Sequence, residues 1–163
     1  MPVALRAFEP ADAAAVNAVA LAAFEQYRGH YADWPAFSKN LAHTSALADQ
    51  GELIVAEAEG QVIGAVTYIG PGKPKNACFE PEWPIMRMLV VSPAARGRGV
   101  GRLLVQECIG RARRDQAQVF ALHTTPIMEV ALSMYQRMGF AFHREAPQIL
   151  GVPYGVYLKA LDA

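Results

Sequence analysis

The hydrophobic positions at the start of the chain predict one strand, two helices and a hairpin. A short apolar run at 3–8 predicts a strand. In the alanine-rich segment 11–27, apolar residues recur at steps of three and four and form one stripe, which is typical of an amphipathic helix. A second helix is predicted over 33–49, where an Asp-Trp-Pro sequence begins it and a glycine stops it. The segment 52–70 contains two β-rich runs around a Glu-Gly pair, which predicts a hairpin.

The rest of the chain alternates apolar runs with helical patterns. The segment 71–84 carries four prolines and is predicted to be a loop. The run 85–91 is apolar at nearly every position, which suits a strand covered on both faces. The later elements are predicted to be a helix over 101–114, a strand over 118–125, a helix over 126–140, and strands over 140–147 and 153–161. The predicted order is therefore β-α-α-β-β-β-α-β-α-β-β, an α/β fold of the α+β type.

Composition narrows the class of protein. The chain has 163 residues, of which 53% are hydrophobic and 18% charged, so we expect a single domain over 1–163 with a continuous core. A formal net charge of zero and a pI near 6.9 argue against a nucleic-acid-binding protein, which would carry a basic surface. Cys78 and Cys108 lack metal-ligand spacing, so we expect no metal site and two free thiols in a cytoplasmic protein. We expect no signal peptide, and no apolar run approaches the ~18 residues of a membrane span.

The segment 90–104, VVSPAARGRGVGRLL, places three glycines and three arginines between a predicted strand and a predicted helix. This arrangement predicts an anion site, because the first N–H groups of a helix have no intrahelical acceptor and the helix dipole adds positive charge. Glycine also removes the side chains that would keep a phosphate away from that backbone. Two better-known phosphate-binding loops do not fit. A Walker A loop requires Lys-Ser or Lys-Thr after its glycines, and neither is present. The dinucleotide-binding pattern G-x-G-x-x-G requires a final glycine, but that position holds Arg102 or Leu104.

Two linked motifs carry a family resemblance. The first is V-x-P-x-x-(R/Q)-x-x-G-x-(G/A), carried here by Val91, Pro93, Arg96, Gly99 and Gly101. The second, one predicted helix and one predicted strand later, is A-x-x-(L/M)-Y-x-x-x-G-F, carried here by Ala131, Met134, Tyr135, Gly139 and Phe140. At this separation the two motifs resemble those of the GNAT (GCN5-related) N-acetyltransferase family, and the resemblance covers most of the chain.

The resemblance implies a fold, a co-substrate and an acceptor. It implies a mixed, mostly antiparallel sheet of about seven strands with helices on both faces, in which the strands at 85–91 and 118–123 are parallel and splay apart. The co-substrate is acetyl-CoA, and the acceptor is a primary amine of a small molecule, peptide or protein that attacks directly; a homodimer is compatible with the family. The residues implied to bind acetyl-CoA are Leu89, Val90 and Val91 along the pantetheine arm, and Arg96, Gly97, Arg98, Gly99, Val100, Gly101 and Arg102 around the pyrophosphate. A backbone N–H near Val91 would stabilise the charge that develops on the thioester oxygen.

The predicted catalytic residues are Tyr135 and Glu82. Tyr135 stands at the family's position for the acid that protonates the leaving thiolate, and its alternative is a packing role on an amphipathic helix. Glu82, in the proline-rich segment before the central strand, is the predicted general base that neutralises the amine. Glu80, His123 and a water molecule are the alternatives, and both glutamates also fit solvated loop charges. The family's asparagine before the tyrosine is absent, since 127–129 reads Ile-Met-Glu.

One other function stays open at this level. An acyl-CoA-binding regulatory or catalytically degenerate module would keep the phosphate cradle without turnover. The intact Tyr135 favours the enzyme, whereas the lack of an unambiguous base favours the module. We expect acceptor recognition from the first two helices and the loop 71–84, and the candidates to line an apolar pocket are Tyr31, Trp34, Phe37 and Trp83.

Overall fold

A computed structural model describes residues 2–161, so the first residue and the last two of the predicted domain lie outside the described part. The strands are β1 (Ala4–Ala7), β2 (Glu52–Ala58), β3 (Gln61–Ile69), β4 (Ile85–Val91), β5 (Val119–Thr124), β6 (Ala141–Ile149) and β7 (Val152–Ala160). The α-helices are α1 (Ala13–Phe24), α2 (Trp34–Leu41), α3 (Val100–Arg114) and α4 (Glu129–Arg137). Short 3-10 helices cover Pro10–Asp12, Glu25–His30, Thr44–Asp49 and Pro93–Ala95. The order of α-helices and strands is the predicted one.

The seven strands form one sheet in the order β1-β2-β3-β4-β5-β7-β6. Every neighbouring pair is antiparallel except β4 and β5, which are parallel. These two strands pair only at Ile85 and Ala121, whereas β5 continues to pair with β7 as far as Thr124. The strands therefore separate towards their carboxyl ends, and the predicted mixed sheet with a splayed central pair is confirmed.

Helices cover both faces of the sheet because the central strands are apolar on both sides. In β2, Ile54 and Ala56 pack into a core with α3, while Leu53 and Val55 pack into a second core with α1 and α2. Helix α4 packs into the first of these cores through Tyr135. The splayed end of β4 and β5 therefore has α3 and α4 on one side and α1 and α2 on the other.

The predicted second helix is shorter than expected. The α-helix ends at Leu41, and the remainder of the predicted segment forms the 3-10 helix Thr44–Asp49. The Thr44 hydroxyl donates to the Leu41 carbonyl at 2.6 Å, which replaces a helical hydrogen bond at this point. The Asn17 side chain accepts from the Ser45 N–H at 2.8 Å and donates to the Ser45 hydroxyl at 3.0 Å, which ties the segment to α1. This tertiary contact selects a geometry that the helical pattern did not predict.

Both cysteines are free thiols, as predicted; Cys78 is half-buried in the loop before β4, and Cys108 lies on the buried face of α3. Within residues 2–161, no helix combines the length and the apolar character needed to cross a membrane. In the same part of the chain, no group of three or more His, Cys, Asp or Glu side chains is arranged to hold a metal ion.

Candidate active site

The gap between β4 and β5 exposes a backbone edge at the centre of the sheet. The Ser92 N–H donates to the Ile63 carbonyl of β3 at 2.8 Å. Since successive N–H groups of a strand point to opposite sides, the Val91 N–H points away from β3 and into the gap. A donor at this place can bind a carbonyl oxygen or extend the sheet by pairing with an amide-containing chain.

A β-bulge interrupts β4 beside this gap. Met88 has a φ of +56°, in the left-handed region that non-glycine residues enter at a cost on the order of 1–3 kcal/mol. The register with β3 shifts between Ala65 and Thr67, so that Met88 and Leu89 together oppose the single residue between them. A bulge re-aims the side chains of its strand. Here four consecutive residues, Met86 to Leu89, all line one cavity.

The turn before α3 has the backbone conformation of an anion cradle. Gly97 and Gly99 have φ values of +81° and +74°, and a Cβ atom on either would meet no other atom within 4 Å. Glycine is therefore required there by the left-handed backbone and not by crowding. The first intrahelical bond runs from the Leu103 N–H to the Gly99 carbonyl at 3.0 Å, which leaves the N–H groups of Val100, Gly101 and Arg102 without a helical acceptor.

The start of α3 lies close to the sheet edge because a glycine of β3 permits it. A Cβ atom on Gly64 would lie 3.1 Å from both Val100 Cγ1 and the Val90 carbonyl oxygen. Val100 is itself buried, so it can offer a ligand only its backbone. On the opposite side, a Cβ on Gly101 would contact Met134 and Val91 at 3.7 Å, an ordinary packing distance. The unpaired N–H groups of α3 and the open edge of β4 are thus neighbours.

The predicted phosphate-binding arginines are all exposed around this turn. Arg96 also has a structural contact, because its guanidinium donates to the Ala23 carbonyl near the end of α1 at 3.2 Å. Its charge also reaches the Tyr27 hydroxyl, where it partly offsets the rise in pKa that burial causes. Arg96 therefore links the cradle to α1, while Arg98 and Arg102 lie on the rim of the turn.

A cavity of about 350 Å³ meets the gap from the side of α1 and α2. Its apolar wall consists of Phe24, Phe37, Leu41, Ala46, Leu47, Met86, Met88, Leu89, Leu122, Met128 and Ile149. Its polar wall consists of Asn40, His43, Thr44, Gln50, Arg87, His123, Thr124, Tyr135 and Tyr154. The first two helices contribute to this wall as predicted, and the cavity reaches Tyr135 on the far side of the split sheet. No residue of the loop 71–84 lines it.

Only one of the four predicted pocket aromatics, Phe37, lines the cavity directly. Tyr31 stacks on Phe37 with ring centroids 3.9 Å apart, and its hydroxyl shares a hydrogen bond with the Tyr154 hydroxyl. Trp34 packs against the same two rings. Trp83 lies elsewhere, under the Arg144 guanidinium. Tyr31 and Trp34 thus pack against Phe37 without lining the cavity themselves.

Tyr135 lies at the boundary between the core and the cavity. The side chain is only 6% exposed, and its ring packs edge-to-face on Phe140 with centroids 6.0 Å apart. Burial raises the pKa of the Tyr135 hydroxyl well above its ordinary value of about 10. The hydroxyl is therefore protonated throughout the physiological range, as a proton donor must be.

The two predicted glutamate bases lie away from this cavity. Glu82 is exposed, and its charge acts on Lys75 of the same loop. Glu80 accepts a hydrogen bond from Arg144 at 3.3 Å. The loop closes on itself because the Lys75 ammonium donates to the carbonyls of Gly70, Lys73 and Pro81. Within residues 2–161, no Asp or Glu side chain lines the cavity.

His123, the third predicted candidate for the base, does line the cavity. Its ring lies between Phe79 and Tyr154, with centroid distances of 5.5 and 5.4 Å. Its Nδ1 atom is buried and has no hydrogen-bond partner among residues 2–161. Burial, and then the nearby Arg87 charge, lower the pKa of the imidazole to about 4. At neutral pH the ring is therefore neutral and has a free nitrogen lone pair.

Arg87 is a cavity residue that the sequence analysis did not select. It was part of the run IMRMLVV, where its charge was the one exception to an apolar strand. That exception indicates a polar site beside the strand, because a charged residue in a strand covered on both faces needs a polar environment on one of them.

Comparisons with known proteins agree with this geometry. Residues 15–140 match the acetyltransferase (GNAT) family. A segment of 52 residues is 40% identical to streptothricin acetyltransferase from Streptomyces lavendulae and covers 32% of this chain. The match spans 28% of the length of that curated relative.

Solved structures share the whole fold at low sequence identity. YncA from Salmonella typhimurium, determined with its cofactor acetyl-CoA, is 20% identical, with a TM-score of 0.73 over 100% of this chain and 96% of its own. PaiA N-acetyltransferase from Thermoplasma acidophilum, in complex with coenzyme A, is 16% identical, with a TM-score of 0.79 over 99% of this chain and 100% of its own. Since the family match covers well over half of the sequence, the chain belongs to the acetyltransferase (GNAT) family.

Proposed function

We propose that the protein is an N-acetyltransferase that moves an acetyl group from acetyl-CoA to a primary amine of a small molecule or peptide. The observation that carries this proposal is the convergence of three features at one opening in the sheet. They are the unpaired N–H groups at the start of α3, the inward N–H of Val91 and the buried hydroxyl-bearing ring of Tyr135. The cavity on the other side of the opening provides a separate entrance for the amine.

The cradle and the open edge of β4 suit two parts of an acetyl-CoA molecule, the pyrophosphate and the pantetheine arm. The backbone of residues 97–102, with the exposed side chains of Arg96, Arg98 and Arg102, would hold the pyrophosphate. The backbone of Leu89, Val90 and Val91 would pair with the amides of the pantetheine arm. The acetyl-CoA bound by YncA and the coenzyme A bound by PaiA support the choice of ligand for this chain. Acetyl-CoA supplies the activated acyl group, and the protein supplies its orientation.

Tyr135 is proposed to return a proton to the departing sulfur. An ordinary thiol has a pKa of about 8.5, below that of a phenol, so a phenol in solution does not readily give its proton to a thiolate. The transfer therefore depends on a protonated tyrosine that is placed beside the sulfur. Burial secures the protonated state. The Val91 N–H is proposed to stabilise the negative charge on the carbonyl oxygen, as a single preorganised donor in a site shielded from water.

His123 is the base that the cavity supports best. Glu82 was the base predicted from the sequence, but its position at the surface of a self-closed loop does not favour contact with an amine in the cavity. The neutral imidazole of His123 lines that cavity. We propose that His123 accepts the proton of the amine directly or through one water molecule.

The experiment that tests the function combines binding with turnover. The full chain is titrated with acetyl-CoA and CoA in a thermal-shift assay, and release of the CoA thiol is followed across a panel of primary amines. We expect both nucleotides to raise Tm, and at least one amine to accelerate thiol release in a Tyr135-dependent manner. Absence of a shift with either nucleotide would contradict the proposed binding site.

A second candidate is a binding module that holds acyl-CoA without turnover. The observation that favours it is the absence of a carboxylate from the cavity wall within residues 2–161. The same experiment separates the two, because the module predicts nucleotide binding with no amine-dependent thiol release. A cytoplasmic location is part of the proposal and fits the two free thiols.

A further inference from the structure

Arg87 is a cation without a counter-ion in the wall of the acceptor cavity. The side chain is half-buried, and within residues 2–161 it has no hydrogen-bond or ion-pair partner. Three other half-buried arginines are paired with carboxylates: Arg6 contacts Asp12 and Glu57, Arg111 contacts Glu52, and Arg144 contacts Glu80. An arginine retained in a buried position usually binds a carboxylate or phosphate in its bidentate fork.

The groups around Arg87 do not neutralise its charge. His123 faces it from β5, and burial keeps that imidazole neutral. Cys78 faces it from the loop before β4, and burial likewise raises the pKa of the Cys78 thiol, which favours the neutral form. The helix side of the cavity presents Asn40 and His43, and no Asp or Glu of residues 2–161 lines the wall. Burial disfavours the charged guanidinium, so an unpaired charge here is unfavourable.

This charge distribution conflicts with a simple alkylamine as the acceptor. A free primary amine has a pKa of about 10 and arrives as an ammonium ion at neutral pH. The cavity offers that ion no carboxylate and confronts it with a second positive charge. An acceptor that carries its own anion would pair with Arg87 and cancel the repulsion.

Resting on the proposed function, we infer that the acceptor is an amino carboxylate, whose carboxylate pairs with the Arg87 guanidinium while an apolar body contacts the aromatic and aliphatic wall. The cavity volume of about 350 Å³ suits a molecule of the size of one amino acid. Phe24, Phe37 and Met128 belong to the apolar part of the cavity wall. Arg87 is thus a residue that selects the substrate.

Binding of the anion would also act on the proposed base. The positive charge of Arg87 is the second cause, after burial, of the lowered basicity of His123. A carboxylate on Arg87 would offset that charge and make the imidazole a better proton acceptor when an acceptor molecule is present. The acceptor would in this way strengthen the base that it requires.

The test uses matched acceptors that differ only in the anion. One series is L-methionine, L-methionine amide and 3-(methylthio)propylamine, and a second is L-phenylalanine, L-phenylalanine amide and phenethylamine. Each is added to the CoA-loaded full chain in a thermal-shift assay, and to the acetyl-CoA-loaded chain in a thiol-release assay. The variants are Arg87→Gln, Arg87→Lys and, as a matched control, Arg113→Gln, whose arginine is exposed on α3.

We expect at least one free amino acid to raise Tm where its amide and decarboxylated partners do not. Arg87→Gln should abolish that difference and raise KM about 10²-fold with a smaller change in kcat, since it removes one partner of a charged pair. Arg87→Lys should restore part of the preference, and Arg113→Gln should behave as the parent. Equal binding of the three members of each series, or a preference that survives in Arg87→Gln, would overturn the inference.

The same measurements separate this inference from the proposed function. Efficient acetylation of the decarboxylated amines, unaffected by Arg87→Gln, would refute the carboxylate pairing and leave the acetyltransferase intact. Carboxylate-dependent binding without thiol release from any amine would support the pairing and contradict the acetyltransferase. Absence of a carboxylate-dependent shift in both series would refute the pairing whatever the turnover.

Discussion

Gly99 and Gly60 form a matched pair for testing the phosphate cradle. Gly99 caps α3 with a φ of +74°, and Gly60 lies in the β2–β3 turn with a φ of +76°. A Cβ atom on either glycine would meet nothing within 4 Å, so valine clashes with no other residue in either place. Valine at each site suffers mainly the cost of a left-handed backbone, about 1–2 kcal/mol. For a chain of this size, that cost lowers Tm by roughly 2–8 °C.

The two substitutions should differ only in the response to CoA. A ligand present at about 100 times its Kd stabilises the protein by about 2.7 kcal/mol, and Gly60→Val should retain this gain in full. Gly99→Val places a branched side chain where a phosphate would approach the first N–H groups of α3, so the gain should be lost. The assay is a thermal shift with CoA, with pantetheine as the ligand that lacks the pyrophosphate. An equal CoA shift in both variants would refute the cradle, as would an equal response of the parent to CoA and pantetheine.

Three further predictions concern side chains. Tyr135→Phe should leave the CoA shift intact while kcat falls by roughly 10²–10⁴-fold; an unchanged kcat together with a loss of about 3–5 kcal/mol in Tyr135→Ala would make Tyr135 a packing residue only. Arg96→Ala should reduce the CoA shift without abolishing it, because backbone donors remain after the contact with Ala23 is lost; a parent-like shift would exclude a phosphate contact. The folded pKa of His123, about 4, lies below its unfolded value of about 6.5, so its contribution to stability is complete above pH 6.5 and is lost as the pH falls towards 4. Chemical denaturation across that range should show a loss of up to about 3 kcal/mol in the parent that is absent in His123→Asn, and identical profiles would contradict the shift.

The glycine turn shows why some of the site was predictable from the sequence. The positive φ angles at Gly97 and Gly99 and the start of α3 are local properties of a few consecutive residues. Local backbone preferences of this kind are encoded in residue type, so three glycines before an apolar helical stripe identify the turn without any distant contact. The splayed pair of strands was predicted from the family motifs and not from residue patterns.

The proposed general base shows why the rest of the candidate site was not predictable. Glu82 and His123 are both plausible bases by residue type, but His123 is fixed on β5, whereas the position of Glu82 depends on how the loop before β4 closes. Lys75 closes that loop through three backbone carbonyls, which leaves Glu82 at the surface. No periodicity in the sequence reports a loop closure of this kind.

The sequence by itself determined the order of strands and helices, the glycine turn and the position of Tyr135 on a helix, because hydrophobic period and backbone preference act over a few residues. Only the tertiary structure decided that Arg87 and His123 line the same cavity, and that a bulge at Met88 interrupts the alternation of side chains along β4. Side-chain direction along a strand reverses with every residue, so one inserted residue changes which side chains share a face. The charge of the cavity, and with it the class of acceptor that we propose, depends on which side chains of the neighbouring strands share that face.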